Sequence, residues 1–187
     1  KADVIYRRLV RETPQSPLVD SARFSLAESS LIAGRLDEAA KVFTELAADK
    51  KADQDIQEDA LYRLVLISAD QDRWDAVRQQ ARGLLTRYPK SRHLIQARFQ
   101  LGQACLNLKD YPAARTELTA VLARREDPRI AAEPWFDLTW VLLADTHFRL
   151  QAYDEVVRTV SEFRRVDPKS AVLYKAEEVL GRSLIKK

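Results

Sequence analysis

A small residue in the middle of a helical pattern returns along this chain at near-regular intervals. Ala27, Val65, Gly102, Ala144 and Gly181 follow one another in steps of 38, 37, 42 and 37 residues. Self-similarity at such a period constrains the fold more than composition does. A pair of short helices cannot bury its own apolar face, so successive pairs must stack into a shared core. The clearest copy runs from Ile95 to Leu122, IQARFQLGQACLNLKDYPAARTELTAVL. Leu101-Gly102 sits mid-helix, Lys109-Asp110-Tyr111-Pro112 makes the turn, and Ala114, Leu118 and Val121 follow at helical spacing.

The other copies fall in the same register. Ala2, Ile5, Tyr6, Leu9 and Val10 form one face of a helix over residues 1–13, which Pro14 ends. Ser16-Pro17 reads as an N-cap followed by Pro at the first helical position. Phe24, Leu26, Ala27, Leu31 and Ile32 mark the helix that follows, which stops near Gly34. Asp37-Glu38 opens its partner, where acids complement the helix dipole, and Ala39, Val42, Phe43 and Leu46 give that partner its stripe. Asp55 to Glu58 has the spacing of a capping box. Leu61, Leu64, Val65 and Ile67 follow, then Trp74, Val77, Ala81, Leu84 and Leu85 up to Tyr88-Pro89, with Ser91 as the next expected N-cap. Residues 129–135 read as the longest irregular connection, with a break at Pro134. Trp140, Leu143, Ala144 and Phe148 mark a further first helix. Tyr153, Val156, Val157, Val160 and Phe163 mark its partner, and Ser170 caps a last helix with Leu173, Ala176, Leu180 and Leu184.

These residues resemble the tetratricopeptide repeat. The large-then-small pair of that family's first helix is matched by Leu26-Ala27, Leu64-Val65, Leu101-Gly102, Leu143-Ala144 and Leu180-Gly181. Its turn, a Gly or polar residue with an aromatic or Leu two places on, is matched by Gly34/Leu36, Asp72/Trp74, Lys109/Tyr111 and Gln151/Tyr153. Its closing Pro is matched by Pro14, Pro89 and Pro168, and by Pro128 two residues late; residues 47–53 have none. The resemblance implies an all-α fold, a right-handed α-α superhelix of stacked antiparallel helix pairs. It covers nearly the whole chain: a half repeat over 1–15, repeats over about 16–53, 54–90, 91–128 and 129–169, and a terminal helix over 170–187, all in one repeat domain. Pro-Gln-Ser at Pro14 and Pro-Lys-Ser at Pro89 and Pro168 are similar to a long-helix variety found in bacterial cell-envelope proteins of the outer-membrane-assembly and Tol–Pal-associated kind.

Composition closes off several functions. The 31 basic and 28 acidic residues are interspersed, leave a net charge of +3, and form basic runs of only two, which argues against a nucleic-acid partner. No apolar run approaches the roughly 18–20 residues of a membrane span. One cysteine excludes an internal disulfide framework. Lys1 in place of an initiator Met, and a helical pattern still running at Lys187, read as an excerpt of a longer chain, so the lack of a signal peptide leaves the compartment open.

The residue pattern supplies no chemistry. Cys105 falls on the face shared with Leu101 and Leu108 and reads as a core residue. His93 reads as solvated and His147 as packed at a helix seam; two histidines so far apart make no metal site. Asp49, Asp53, Asp55, Glu58 and Asp59 lack the Gly-punctuated loop of a calcium hand. No Gly-rich phosphate loop is present. The expectation is a non-catalytic chain without metal or cofactor.

Members of the family often bind peptides in the concave groove lined by first helices. By register that groove takes Phe24, Glu28 and Leu31; Tyr62, Leu66 and Asp70; Phe99, Gln103 and Leu106; and Val141, Asp145 and Phe148. Phe24, Tyr62 and Phe99 occupy one place in successive repeats and either wall the groove or pack between helices. Glu28, Asp70 and Asp145 predict a partly acidic groove suited to a basic or neutral protein partner. The function so read is a protein-interaction or scaffold module. Two alternatives stay open: a spacer or self-association segment joining copies through cut repeat ends, and a helical accessory domain of an enzyme.

Overall fold

The computed structural model describes residues 2–187; Lys1, placed by the sequence reading in the first helix, lies outside the described residues. Among the described residues there are eleven helices and no strand. They gather into two compact units, one ending at Ser91 and one running from Arg92 to Lys187. Unit 1 holds α1 (Ala2–Glu12), α2 (Val19–Ile32), α3 (Leu36–Ala48), α4 (Gln54–Asp70) and α5 (Trp74–Arg87). Unit 2 holds α6 (Leu94–Asn107), α7 (Tyr111–Leu122), the one-turn α8 (Pro128–Ala131), α9 (Phe136–Arg149), α10 (Tyr153–Val166) and α11 (Leu173–Lys186).

Each unit has its own core. In unit 1, Ala39, Phe43 and Leu46 of α3 pack on Ala27 of α2 and on Ala60, Leu64 and Ile67 of α4. In unit 2, Leu118 and Val121 of α7 meet Trp140 and Leu143 of α9, and these meet Val156, Val160 and Phe163 of α10. The Trp140 indole stacks on Phe163 with centroids 5.7 Å apart and planes 5° from parallel, an arrangement that adds about 0.5–1.5 kcal/mol to the area it buries. Besides packing on second helices, the first helices touch one another: α2 touches α4 in unit 1, and α9 touches both α6 and the terminal α11 in unit 2. A continuous first-helix face results within each unit.

The turns inside the helix pairs close identically. Gly34 (φ +74°), Asp72 (+53°), Lys109 (+62°) and Gln151 (+58°) all adopt the left-handed conformation. In each turn the next amide reaches back to the last turn of the helix: Arg35 N–H to Ser30 O, Arg73 to Ser68, Asp110 to Cys105 and Ala152 to His147, at 2.8–2.9 Å. The left-handed residue bonds the carbonyl three before it, as Gly34 does to Leu31 and Lys109 to Leu106. This is the Schellman closure, which satisfies two orphan carbonyls at the helix end. The recurring Gly-or-polar position in the sequence is therefore a backbone requirement, met by glycine only once.

Helix starts depart from the sequence expectations. Asp53, not Asp55, caps α4, its carboxylate accepting the Asp55 N–H at 2.8 Å. Glu58 instead accepts the Ser91 hydroxyl at 2.7 Å. Ser16, Ser91 and Ser170 are not N-caps: α2, α6 and α11 begin three residues later, at Val19, Leu94 and Leu173, and Pro17 precedes the first helical residue. The reason is a tight turn around each Pro, in which the serine N–H bonds the carbonyl of Thr13, Tyr88 or Asp167. Placed in that turn, Ser170 does for α9 what Ser91 does for α4: its hydroxyl donates to Asp137 at 2.6 Å. The expected irregular connection over 129–135 is entered by α8 (Pro128–Ala131), capped by Asp127, whose carboxylate accepts the Arg129 N–H at 3.1 Å.

Gly102 is the closest helix contact in the molecule's glycine set. A Cβ built there would lie 2.7 Å from Leu118 Cδ2 and 2.8 Å from its Cγ. Gly181, at the same register in α11, has nothing within 4 Å of such a Cβ.

Candidate functional site

The sequence-predicted groove residues fall on the first-helix faces of both units, in different surroundings. In unit 1, Phe24 is half-buried and meets the buried Phe43 edge-on, with centroids 5.1 Å apart. Tyr62 and Leu66 are half-buried on α4, and Asp70 is exposed at its end. Glu28 is held by Arg63 of α4 at 2.7 Å, so the two charges cancel across the α2–α4 contact.

In unit 2, Phe99 is only 5% exposed and packs against Trp135, centroids 5.0 Å apart, within the core. Gln103 and Asp145 stand on the open surface between α6, α9 and α11. Two hollows meet there, of about 440 and 410 Å³, and they share Leu142 and Asp145. The first lies between α6 and α9, with Leu106 in its floor, Gln103 and Asn107 on one side, and Lys109 and Arg149 at its edge. The second lies between α9 and α11, with Val141 and Val179 in its floor and Tyr174, Lys175 and Arg182 along α11. Phe148 lies beside them, its ring 5.2 Å from the Arg182 guanidinium and 6.0 Å from Tyr153.

The electrostatics of this surface differ from the sequence expectation. Asp145 is not a free acid: Arg149 reaches it at 3.4 Å and Arg182 at 3.8 Å. Lys109 and Lys175 have no carboxylate partner among the described residues, and Lys175 lies 5.9 Å from the Tyr174 ring centroid. Lys109, Arg149, Tyr174, Lys175 and Arg182 were missed by sequence reasoning. Carrying the register one helix further would have placed Glu178 and Arg182 on this face, and the four-residue spacing of Asp145 and Arg149 would have flagged their pairing.

A second recess, of about 430 Å³, lies between α7, α9 and α10. Trp140, Leu143 and His147 form its floor, and Arg125 and Glu162 pair at 3.4 Å at its rim. His147 is 8% exposed. Burial pushes its pKa below the usual 6.5, with Arg115 adding to the effect and Glu155 opposing it, so the ring is neutral at neutral pH. The equivalent recess of unit 1, between α3, α4 and α5, has Leu61 and Leu64 in the places of Trp140 and Leu143, and Gly83 in its lining. Cys105 is buried in α6, and no group of three or more potential metal ligands occurs among the described residues. No helix of the described residues is long and apolar enough to cross a membrane.

No family model matches the chain, and no curated protein matches it. Among solved structures it is similar to MamA from Desulfovibrio magneticus RS-1, with 19% identity, 89% of this chain and 84% of that one covered, and a TM-score of 0.69. It is similar to MamA of AMB-1, with 16% identity, 91% and 84% covered, and a TM-score of 0.67. A tetratricopeptide repeat protein from Parabacteroides merdae matches with 18% identity over 98% of this chain and 66% of that one, with a TM-score of 0.73. At these identities the likeness is one of fold: the chain is an all-α, tetratricopeptide-like solenoid.

Proposed function

We propose that this chain is a non-catalytic protein-interaction scaffold and that a partner segment lies along the first-helix face of unit 2. The observation that carries this reading is the pair of adjoining hollows centred on Leu142 and Asp145. They combine an apolar floor with the amides of Gln103 and Asn107. The Asn107 Nδ2 donates to the Gln103 carbonyl at 2.9 Å, which leaves its Oδ1 turned to other donors. Such a surface is preformed by helices, so little backbone order is lost on the receptor side when a segment docks. The likeness to a tetratricopeptide repeat protein supports the same reading, as does the placement of Cys105 and His147 inside the packing. On this reading residues 1–187 form one repeat array, and Phe24, Glu28, Tyr62, Leu66 and Asp70 offer a weaker, second face. The Pro-x-Ser junctions at Pro14, Pro89 and Pro168 support a place in the bacterial cell envelope.

The test is affinity capture from source cells with the chain and with a Gln103→Ala/Asn107→Ala/Tyr174→Ala variant whose circular dichroism is unchanged. A partner captured by the first and lost by the second is the expected result. Equal capture by both removes this face from the site. A self-association reading draws on a different observation: Val4 and Ile5 of α1 and Leu184 and Ile185 of α11 are 58–85% exposed, and apolar patches of this kind seek cover. Sedimentation equilibrium decides it, because a dimer dissociated by Ile185→Glu with the fold intact would support self-association and a monomer at all concentrations would dismiss it.

A further inference from the structure

We infer that the segment bound by the first-helix face of unit 2 is an acidic peptide, with carboxylates flanking a short apolar stretch. The inference rests on the groove reading above and adds the chemistry of the occupant. Four cations line the two hollows, Lys109, Arg149, Lys175 and Arg182, against two carboxylates, Asp145 and Glu178. The single Asp145 carboxylate serves both arginines. Its two contacts, at 3.4 and 3.8 Å, are longer than a close charge-assisted bond of about 2.8 Å, so each guanidinium keeps donors for another acid. Lys109 and Lys175 are uncommitted to any carboxylate among the described residues. They line different hollows, Lys109 just past the end of α6 and Lys175 on α11, and the hollows adjoin at Leu142 and Asp145. A cation in each hollow and Leu142 where they adjoin suit acids spaced along the ligand about an apolar residue.

The other polyanion this charge could attract is a nucleic acid, and the lining favours a peptide. Two excess positive charges are few for a phosphate backbone. The floor is aliphatic, and the amides of Gln103 and Asn107 suit the alternating N–H and C=O groups of an extended chain. Lys109 also has an unusual property for a binding residue. It holds a left-handed conformation, φ +62°, so replacing it with glycine removes the charge while relieving the backbone. Loss of binding alongside an unlowered thermal midpoint in that variant therefore separates the charge from the fold.

The experiment is selection of random short peptides on the whole chain, followed by fluorescence anisotropy with the best binder. Binding is compared for that peptide, its Gln-for-acid counterpart and a single-stranded RNA oligomer, on the native chain and on Lys109→Gly and Lys175→Glu. The expected result is acid-rich binders that lose about tenfold in affinity in the Gln counterpart and in each variant, and that weaken as salt is raised. Neutral or basic binders that still shift the amide resonances of Gln103 and Asn107 would overturn the inference and leave the groove reading standing. Binders that shift only residues elsewhere, or no binders at all, would overturn both. RNA binding as tightly as the acidic peptide, with the same loss in the variants, would replace the peptide by a nucleic acid.

Discussion

The first-helix faces of the two units share a register and a backbone and differ in charge. In unit 1 the Glu28–Arg63 pair is self-contained and Asp70 is the residue left over. In unit 2 Asp145 and Glu178 sit among four cations, two of which share Asp145. The same contrast runs through the aromatic place of the repeat: Phe24 is half-buried at the rim of its helix pair, whereas Phe99 lies in the core against Trp135. The buried register and the left-handed turns fix how helices stack; the side chains that this register leaves outside are free to differ. Recognition in such a chain is written on a small part of the repeat, and equivalent positions do not carry equivalent roles.

The largest expected effect breaks this comparison at its aromatic place. Phe99→Ala removes a buried ring and should cost about 3–5 kcal/mol. Phe24→Ala, which uncovers only part of the Phe43 packing, should cost distinctly less. Urea unfolding of the two variants measures this, and equal costs would mean that the two rings are equally core.

Next come the two glycines at one register. Gly102→Ala drives a methyl into Leu118, and overpacking of this kind costs about 1–3 kcal/mol, more than the gain in helix propensity returns. Gly181→Ala meets nothing and should stabilise the chain by about 0.5–1 kcal/mol. Thermal unfolding should move the two midpoints in opposite directions.

His147 sharpens the comparison of the two recesses, since unit 1 has no titrating group in that floor. Its folded pKa lies below the unfolded 6.5, so the unfolded chain binds the proton more readily. The stability contributed by the neutral ring is present above the unfolded pKa and is lost as pH falls below it toward the lowered value. The native chain should therefore lose more stability than His147→Gln between about pH 7.5 and 5.5, read as the difference in urea midpoints; parallel curves would show that the ring is not desolvated.

The smallest effect concerns the turns. Lys109→Gly and Gln151→Gly should each gain up to about 1 kcal/mol, because a left-handed conformation strains any residue with a Cβ. Asp72→Gly should gain less, since aspartate tolerates that region better. A loss of stability on Gln151→Gly would show that its turn does not close in this conformation.

The repeat was legible in the sequence because it is carried by short-range features. The Leu-small pairs, the turn residues at Gly34, Asp72, Lys109 and Gln151, and the second-helix stripes all act within one helix pair. Helix starts were less legible. Ser16, Ser91 and Ser170 look like caps, yet a Pro-centred turn puts each of them ahead of the helix, and their hydroxyls serve other bonds: Ser91 and Ser170 donate to acids of a first helix far back in the chain. The charge of the candidate site was misread for a related reason. Asp145 pairs with Arg149 on its own helix and with Arg182 of α11, which only the register extended into that last helix places beside it. Phe99 likewise takes its burial from Trp135, which the sequence places in an irregular connection.

The central claim is that the α6–α9–α11 surface receives the partner. A photo-crosslinking amino acid placed in turn at Asn107 and Tyr174 on that surface, at Asp70 on the unit 1 face, and at the exposed Thr116 of α7 tests it directly in source cells. The account predicts one adduct, of one mass, at Asn107 and Tyr174, and little at the other two positions. Adducts of equal yield at Thr116, or adducts confined to Asp70, would contradict it.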